Sequence, residues 1–259
     1  MPIRFLRPFA VGFLLATGCG PLGESGAGHG EGPGGREQEL ALSPAEELNF
    51  GRQSYSEVTG EYRDKMLPAS DQGPVRVRQI VDRLAAAAKN EPLQREIHLR
   101  IQGYTFEWEV TVVREKQVNA FCLPAGKMVV FTGILPVAAT DDQLATVLAH
   151  EMAHALAHHG SERVAREHSG GGMLSKLKYD RFQESEADHI GIFLMAFGGY
   201  DPAAAVDFWR RMRELSGGKE PPEFLSDHPN HESRIKQLAG WAPRAKAAKQ
   251  AFDEGRIQK

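Results

Sequence analysis

Two histidines four residues apart, with a glutamate beside the first, make up the segment His150-Glu151-Met-Ala-His154. On a helix, residues four apart lie on one face, so both imidazoles can meet one divalent ion at about 2.0–2.1 Å each. Glu151 is turned roughly 100° from His150, beside that ion and towards a water it would hold. Two neutral imidazoles do not complete a catalytic zinc site, which needs a third protein ligand and one open position. Glu184-Ser-Glu-Ala-Asp188 follows 30 residues after His154. Glu184 and Asp188 again share a helical face, so Glu184 is read as the third ligand. Asp188 is read as the acceptor behind a ligand imidazole, fixing its tautomer. Glu186 falls on another face and is expected in solvent. The competing reading is a solvated His/Glu face making only surface pairs.

These side chains need two helices to carry them. Thr140-Asp-Asp-Gln143 reads as a capping box with two acids at the positive end of the helix dipole, and Gly160 as the stop of the helix it opens. The second helix is expected over Tyr179–Phe197, with Ile192, Phe193, Leu194 and Phe197 anchoring it in the core. Upstream, Ser43-Pro-Ala-Glu46 starts a helix running towards Val58, and Val77, Ile80, Val81 and Leu84 mark an amphipathic helix over Val75–Ala88. Alternation or β-branched runs at Ile97–Ile101, Trp108–Val112 and Lys127–Thr132 read as three short strands. The fold class expected is therefore α+β, mainly helical with a small sheet.

The chain has 259 residues, 31 Lys and Arg against 34 Asp and Glu, and two cysteines. That balance leaves no broad basic surface for nucleic acid, and the cysteine count excludes a disulfide scaffold. Eight of the ten histidines lie between His150 and His231. Arg4 and Arg7 precede an apolar stretch from Phe9 to Thr17, too short to span a bilayer and suited to a signal peptide over residues 1–18. Leu15-Ala-Thr-Gly-Cys19 resembles a bacterial lipobox, with Cys19 as the lipidated residue; a plain secretory signal or a buried apolar strand is the alternative. Residues 19–42 are glycine-rich and read as a flexible tether, 43–241 as the catalytic domain, and 242–259 as a basic C-terminal helix or tail.

Together, these segments resemble the gluzincin metallopeptidases related to HtpX, the periplasmic protease BepA and the CAAX prenyl protease, in their soluble lipoprotein or periplasmic branch. Asn119–Gly133, His150–His154, Glu184–Gly191 and Leu225–Ile235 carry the likeness. Cys122 and Ala125 depart from it, where relatives have Ala and Gly. The resemblance implies a zincin-like domain, one Zn2+ held by His150, His154 and Glu184, and Glu151 as catalytic base. It also puts His228 over the metal, either donating to the oxyanion or acting as a fourth, inhibitory ligand; a helix-capping loop histidine is the alternative. Substrate is expected along Lys127, Met128, Val129 and Val130, adding to the sheet edge by main-chain pairing. The function expected is endopeptidase action on unfolded or misassembled envelope proteins, periplasm-facing and anchored by Cys19. A chaperone-like binding module and a hydrolase of non-peptide substrates are the alternatives. Cys122 is expected to be a small buried hydrophobe, and His158 and His159 to be structural or solvated.

Overall fold

The computed structural model describes residues 28–168, 173–215, 217, 224, 225, 228 and 232–256. Residues 1–18, read in the sequence as a signal peptide, Cys19 and most of the loop from Gly217 to Pro229 lie outside the described residues. In chain order there is a hairpin of β1 (Gly28–Glu31) and β2 (Glu37–Leu40), then helices α1 (Pro44–Glu61), α2 (Gln72–Ala88) and α3 (Glu91–Ile97). Strands β3 (Glu109–Val113), β4 (Ala120–Leu123) and β5 (Lys127–Phe131) follow, and then α4 (Asp141–Leu156), α5 (His159–His168), α6 (Met173–Phe197), α7 (Ala204–Leu215) and α8 (Glu232–Asp253). No helix among the described residues is long and apolar enough to cross a membrane.

Side-chain caps mark the starts of α1 and α4. At Ser43 the capping box is complete: the Glu46 backbone N–H donates to Ser43 Oγ, and Glu46 Oε2 accepts from the Ser43 backbone N–H at 2.8 Å. At Thr140 it is half formed, since Thr140 Oγ1 accepts from Gln143 N–H while the Gln143 side chain instead accepts from Ala139 N–H.

The three-stranded sheet has the order β3-β5-β4, with β5 parallel to β3 and antiparallel to β4. Helix α1 covers one face, where Tyr55 and Val58 meet Val113, Val129 and Phe131. On the other face Val110, Val112, Met128 and Val130 join the main core with α2, α4 and α6. All five residues of β5 are buried, as a strand covered on both faces and paired on both sides requires. Helix α4 runs through the middle of the core, with every residue from Gln143 to Leu156 buried. Helix α6 crosses it at Gly191, where a Cβ would stand 3.2 Å from the His150 nitrogen. Glycine here lets the two site-bearing helices approach backbone to backbone.

Several expectations are corrected. Ile97–Ile101 is not a strand: Asn90-Glu-Pro opens α3, Leu93 and Ile97 bury its face, and His98 closes it in the left-handed conformation at φ 50°. Alternation over five residues does not separate a strand from one turn of helix and its exit. Gly160 does not stop α4; His158 does, at φ 54°, and α5 begins at the next residue. Residues 28–40, assigned to the tether, form a hairpin turned by Gly34 and Gly35 and docked through buried Gln38 and Leu40. A boundary at 241 does not exist either, since α8 runs through it with Ala242 and Ala245 buried. Finally, Lys127–Val130 cannot receive a substrate strand, because β5 is hydrogen-bonded on both sides; β4, unread in the sequence, is the edge strand beside the cleft.

Candidate active site

The buried stretch of α4 brings His150, Glu151 and His154 to the cleft, and α6 brings Glu184 and Asp188 against them. His150 Nε2 lies 3.1 Å from His154 Nε2 and 3.3 Å from Glu184 Oε2, and His154 Nε2 lies 3.4 Å from Glu184 Oε1. Four donors at 2.0–2.1 Å around a tetrahedral ion stand about 3.3 Å apart, so this spacing is the one such an ion requires. His228 joins the group: its Nδ1 is 2.9 Å from Glu184 Oε2 and 3.2 Å from His150 Nε2. Donor atoms of His150, His154, Glu184 and His228 all fall within 4.8 Å of one another, and all four residues are buried. Imidazoles and one carboxylate are a zinc donor set, and the group is fit to hold one zinc ion.

The electrostatics suit that role. Burial alone raises the Glu184 carboxyl, but the facing imidazoles of His228, His154 and His150 outweigh it and hold the group well below the usual carboxylate range. Burial pushes His154 well below the usual imidazole range, which favours the neutral ring a cation needs. For His150, burial and the Arg234 charge act downward, and hydrogen bonds to Asp188 and Glu184 carry the balance upward.

Behind the donors, His150 Nδ1 meets Asp188 Oδ1 at 3.1 Å. Asp188 is in turn gripped by Arg234 from α8, with Nη2 to Oδ1 at 2.7 Å and Nε to Oδ2 at 2.5 Å. The Arg234 guanidinium lies 3.5 Å over the Trp209 ring and reaches Glu184 Oε2 at 3.3 Å. Sequence reasoning found Arg234 only as part of the His-Pro segment and assigned it no task.

Glu151 sits between this group and β4. Its Oε2 accepts the Cys122 backbone N–H at 3.2 Å, and its Oε1 lies 3.2 Å from His228 Nε2. The cleft beside it, about 290 Å3, is lined by Phe121, Cys122, Glu151, His154, His158 and His228 among others. Cys122 is partly buried: it packs against the main core and also lines the cleft. His158 is structural as expected: buried, it meets Glu47 at 2.9 Å and the Arg100 carbonyl at 2.7 Å. Glu186 overturns its solvent assignment, since it pairs with Arg36 and with buried His159. That signal was invisible in sequence because Arg36 is 150 residues away.

The mainly helical frame, the small sheet and the buried His/Glu cluster define a zincin-like α+β domain. The sequence description of peptidase family M48 matches residues 75–173 and 167–242, and the chain belongs to that family. Among known proteins it is 34% identical over 230 residues to the mitochondrial metalloendopeptidase OMA1 of Schizosaccharomyces pombe, covering 80% of this chain and 64% of that protein. With the human OMA1 metalloendopeptidase it shares 30% over 245 residues, 82% of this chain and 45% of that one. The β-barrel assembly-enhancing protease of Escherichia coli is 26% identical over 156 residues, 48% of this chain and 32% of that protein. The expected likeness is refined accordingly: the broad matches are to mitochondrial OMA1 proteases, and the envelope protease matches about half of the chain. This chain spans about half to two thirds of the length of those OMA1 relatives.

Proposed function

We propose that the chain is a zinc metalloendopeptidase acting on protein substrates, with His150, His154 and Glu184 as the metal ligands. The observation that carries this reading is the 3.1–3.4 Å spacing of their donor atoms with Glu151 alongside. Bound there, zinc supplies Lewis-acid polarisation of a carbonyl and a lowered pKa for water. Glu151 takes the proton of the attacking water and returns it to the leaving amine. The Cys122 N–H donates to one oxygen of its carboxylate, and the other stands 3.2 Å from His228 Nε2, so the base is anchored through Oε2 before substrate arrives. Substrate lies extended beside β4, the strand that borders the cleft, in place of the Lys127–Val130 strand first expected.

His228 on this reading closes the donor group as a fourth ligand in a latent state, supported by its Nδ1 distances to Glu184 and His150. His228→Ala then raises proteolysis; a variant as inert as its parent removes the latch. Unfolded or misassembled envelope proteins are the substrates proposed, with Cys19 as the lipid anchor, on the strength of Leu15-Ala-Thr-Gly-Cys19. Radiolabelled palmitate incorporated by the full chain and lost in Cys19→Ala tests the anchor. The deciding experiment for the activity is Glu151→Gln, which should abolish casein cleavage with zinc still bound. Undiminished cleavage by that variant would assign the activity to another site or to a contaminant.

A further inference from the structure

His154 has a second partner that no sequence pattern announced. Its Nδ1 lies 2.7 Å from His159 Nδ1, and both rings are buried. Between two ring nitrogens at that distance one must carry the hydrogen and the other the lone pair. With Nε2 of His154 turned into the donor group, its Nδ1 carries the hydrogen and donates, so His159 Nδ1 accepts. That leaves the hydrogen of His159 on Nε2, which points at Glu186 Oε2, 2.9 Å away. One tautomer assignment therefore satisfies every nitrogen in the chain of contacts.

Glu186 is itself fixed from the far end of the sequence. Arg36, in the turn between β1 and β2, donates from Nε to Glu186 Oε1 at 2.9 Å and from Nη2 to Oε2 at 2.8 Å. The same guanidinium donates to both oxygens of Glu162 at 2.6 and 2.8 Å and lies over the Phe182 ring. A guanidinium shared by two carboxylates in fork geometry is a rigid joint. Beside it, Gln38 reaches the Ala157 carbonyl at 2.7 Å and Leu42 N–H reaches Ser161 Oγ at 2.9 Å, so β2 is pinned to the junction of α4 and α5.

The two metal-facing imidazoles of α4 are thus backed in parallel fashion. His150 leans on Asp188, which Arg234 holds from α8; His154 leans on Glu186 through His159, which Arg36 holds from the hairpin. Both acids come from α6, and both arginines come from outside the α4–α6 pair. The hairpin lies before residue 75, outside the residues that the family description matches.

We propose that His159, Glu186 and Arg36 are positioning residues for the metal centre, which makes the Gly28–Leu40 hairpin a working part of it. The proposal rests on the reading of His154 as a metal ligand. It is tested on the full chain by zinc dissociation constants from competition with a chromophoric chelator, and by the visible spectrum of the cobalt-substituted protein. His159→Phe removes both nitrogens with the ring plane kept, and zinc should bind roughly 10–100-fold more weakly. Glu186→Gln and Arg36→Ala should weaken zinc in the same direction by smaller factors, with the cobalt bands shifted in each. His159→Gln restores one acceptor and one donor and should recover most of the affinity. Arg52→Ala, which breaks an exposed pair with Glu107, is the control and should change neither readout.

Zinc affinity within twofold of wild type and unchanged cobalt bands in folded His159→Phe, Glu186→Gln and Arg36→Ala would overturn the proposal. A fall in thermal stability alone, with affinity kept, is the outcome of a merely structural network and overturns it equally. If His159→Phe does not fold, the two less buried positions decide. His154→Ala separates this inference from the reading beneath it. Zinc retained there at unchanged affinity sinks the ligand assignment, whereas zinc lost there but kept in the other three sinks only the relay.

Discussion

Arg234 offers the sharpest test of how the site is held together. Its side chain is 5% exposed and grips both oxygens of Asp188, whose own side chain is 3% exposed. Replacing it by methionine keeps much of the volume but leaves Asp188 buried without its guanidinium. Breaking a buried pair from one side costs about 3–5 kcal/mol, and the lost stack on Trp209 argues for the upper part of that range. At roughly 2–4 °C per kcal/mol for a domain of this size, metal-free Arg234→Met should melt roughly 6–20 °C below its parent. The cost also has a definite pH signature. Burial raises the Asp188 carboxyl, but the Arg234 charge and the His150 hydrogen bond outweigh it and hold the group below its ordinary value. A group so lowered contributes stability that is present above its unfolded value, about 3.9, and lost as pH falls through the folded value. Deleting Arg234 removes that contribution, so the gap between parent and variant should persist from pH 7 down to about pH 4 and close as pH falls further through the folded value. Urea unfolding of the metal-free chains at about pH 7, 4 and 2.5 measures it. A gap under about 1 kcal/mol at pH 7, or one that widens in acid, refutes the reasoning.

Three further outcomes follow from particular contacts. At Gly51, where α1 crosses the turn before β5, an added Cβ would stand 2.1 Å from the Pro124 carbonyl oxygen. Gly51→Ala should therefore cost about 1–3 kcal/mol in urea unfolding, and a change near zero would contradict that close approach. Burial, with the Glu151 charge adding to it, pushes the Cys122 thiol well up. Iodoacetamide at pH 7.5 should then label the folded chain roughly tenfold or more slowly than the chain in urea, and equal rates would argue against it. Stripping zinc with a chelator should lower the melting temperature, since an ion at 1,000 times its dissociation constant stabilises by about 4 kcal/mol. Identical melting with and without chelator would remove the metal site.

Legibility from sequence was uneven, and the reason is range. Helix periodicity put His150, Glu151 and His154 on one helix and Glu184 with Asp188 on another, because side chains four apart share a face whatever surrounds them. Capping at Ser43 and Thr140 was legible for the same reason: its partners lie within one turn. The sequence by itself thus determined which donors exist and on which helical faces they stand. Only the tertiary structure decided which of them meet. Strand β5 became central instead of an edge because β3 and β4 pair with it on either side, which no feature of Lys127–Phe131 could announce. The glycine-rich segment before Ser43 looked too polar to order, yet Arg36 and Gln38 tie its described part, residues 28–40, to partners more than 100 residues away. Ion pairs and buried hydrogen bonds between distant segments leave no periodicity behind them, so Arg234, Glu186, His159 and the hairpin acquired their places only when the chain folded.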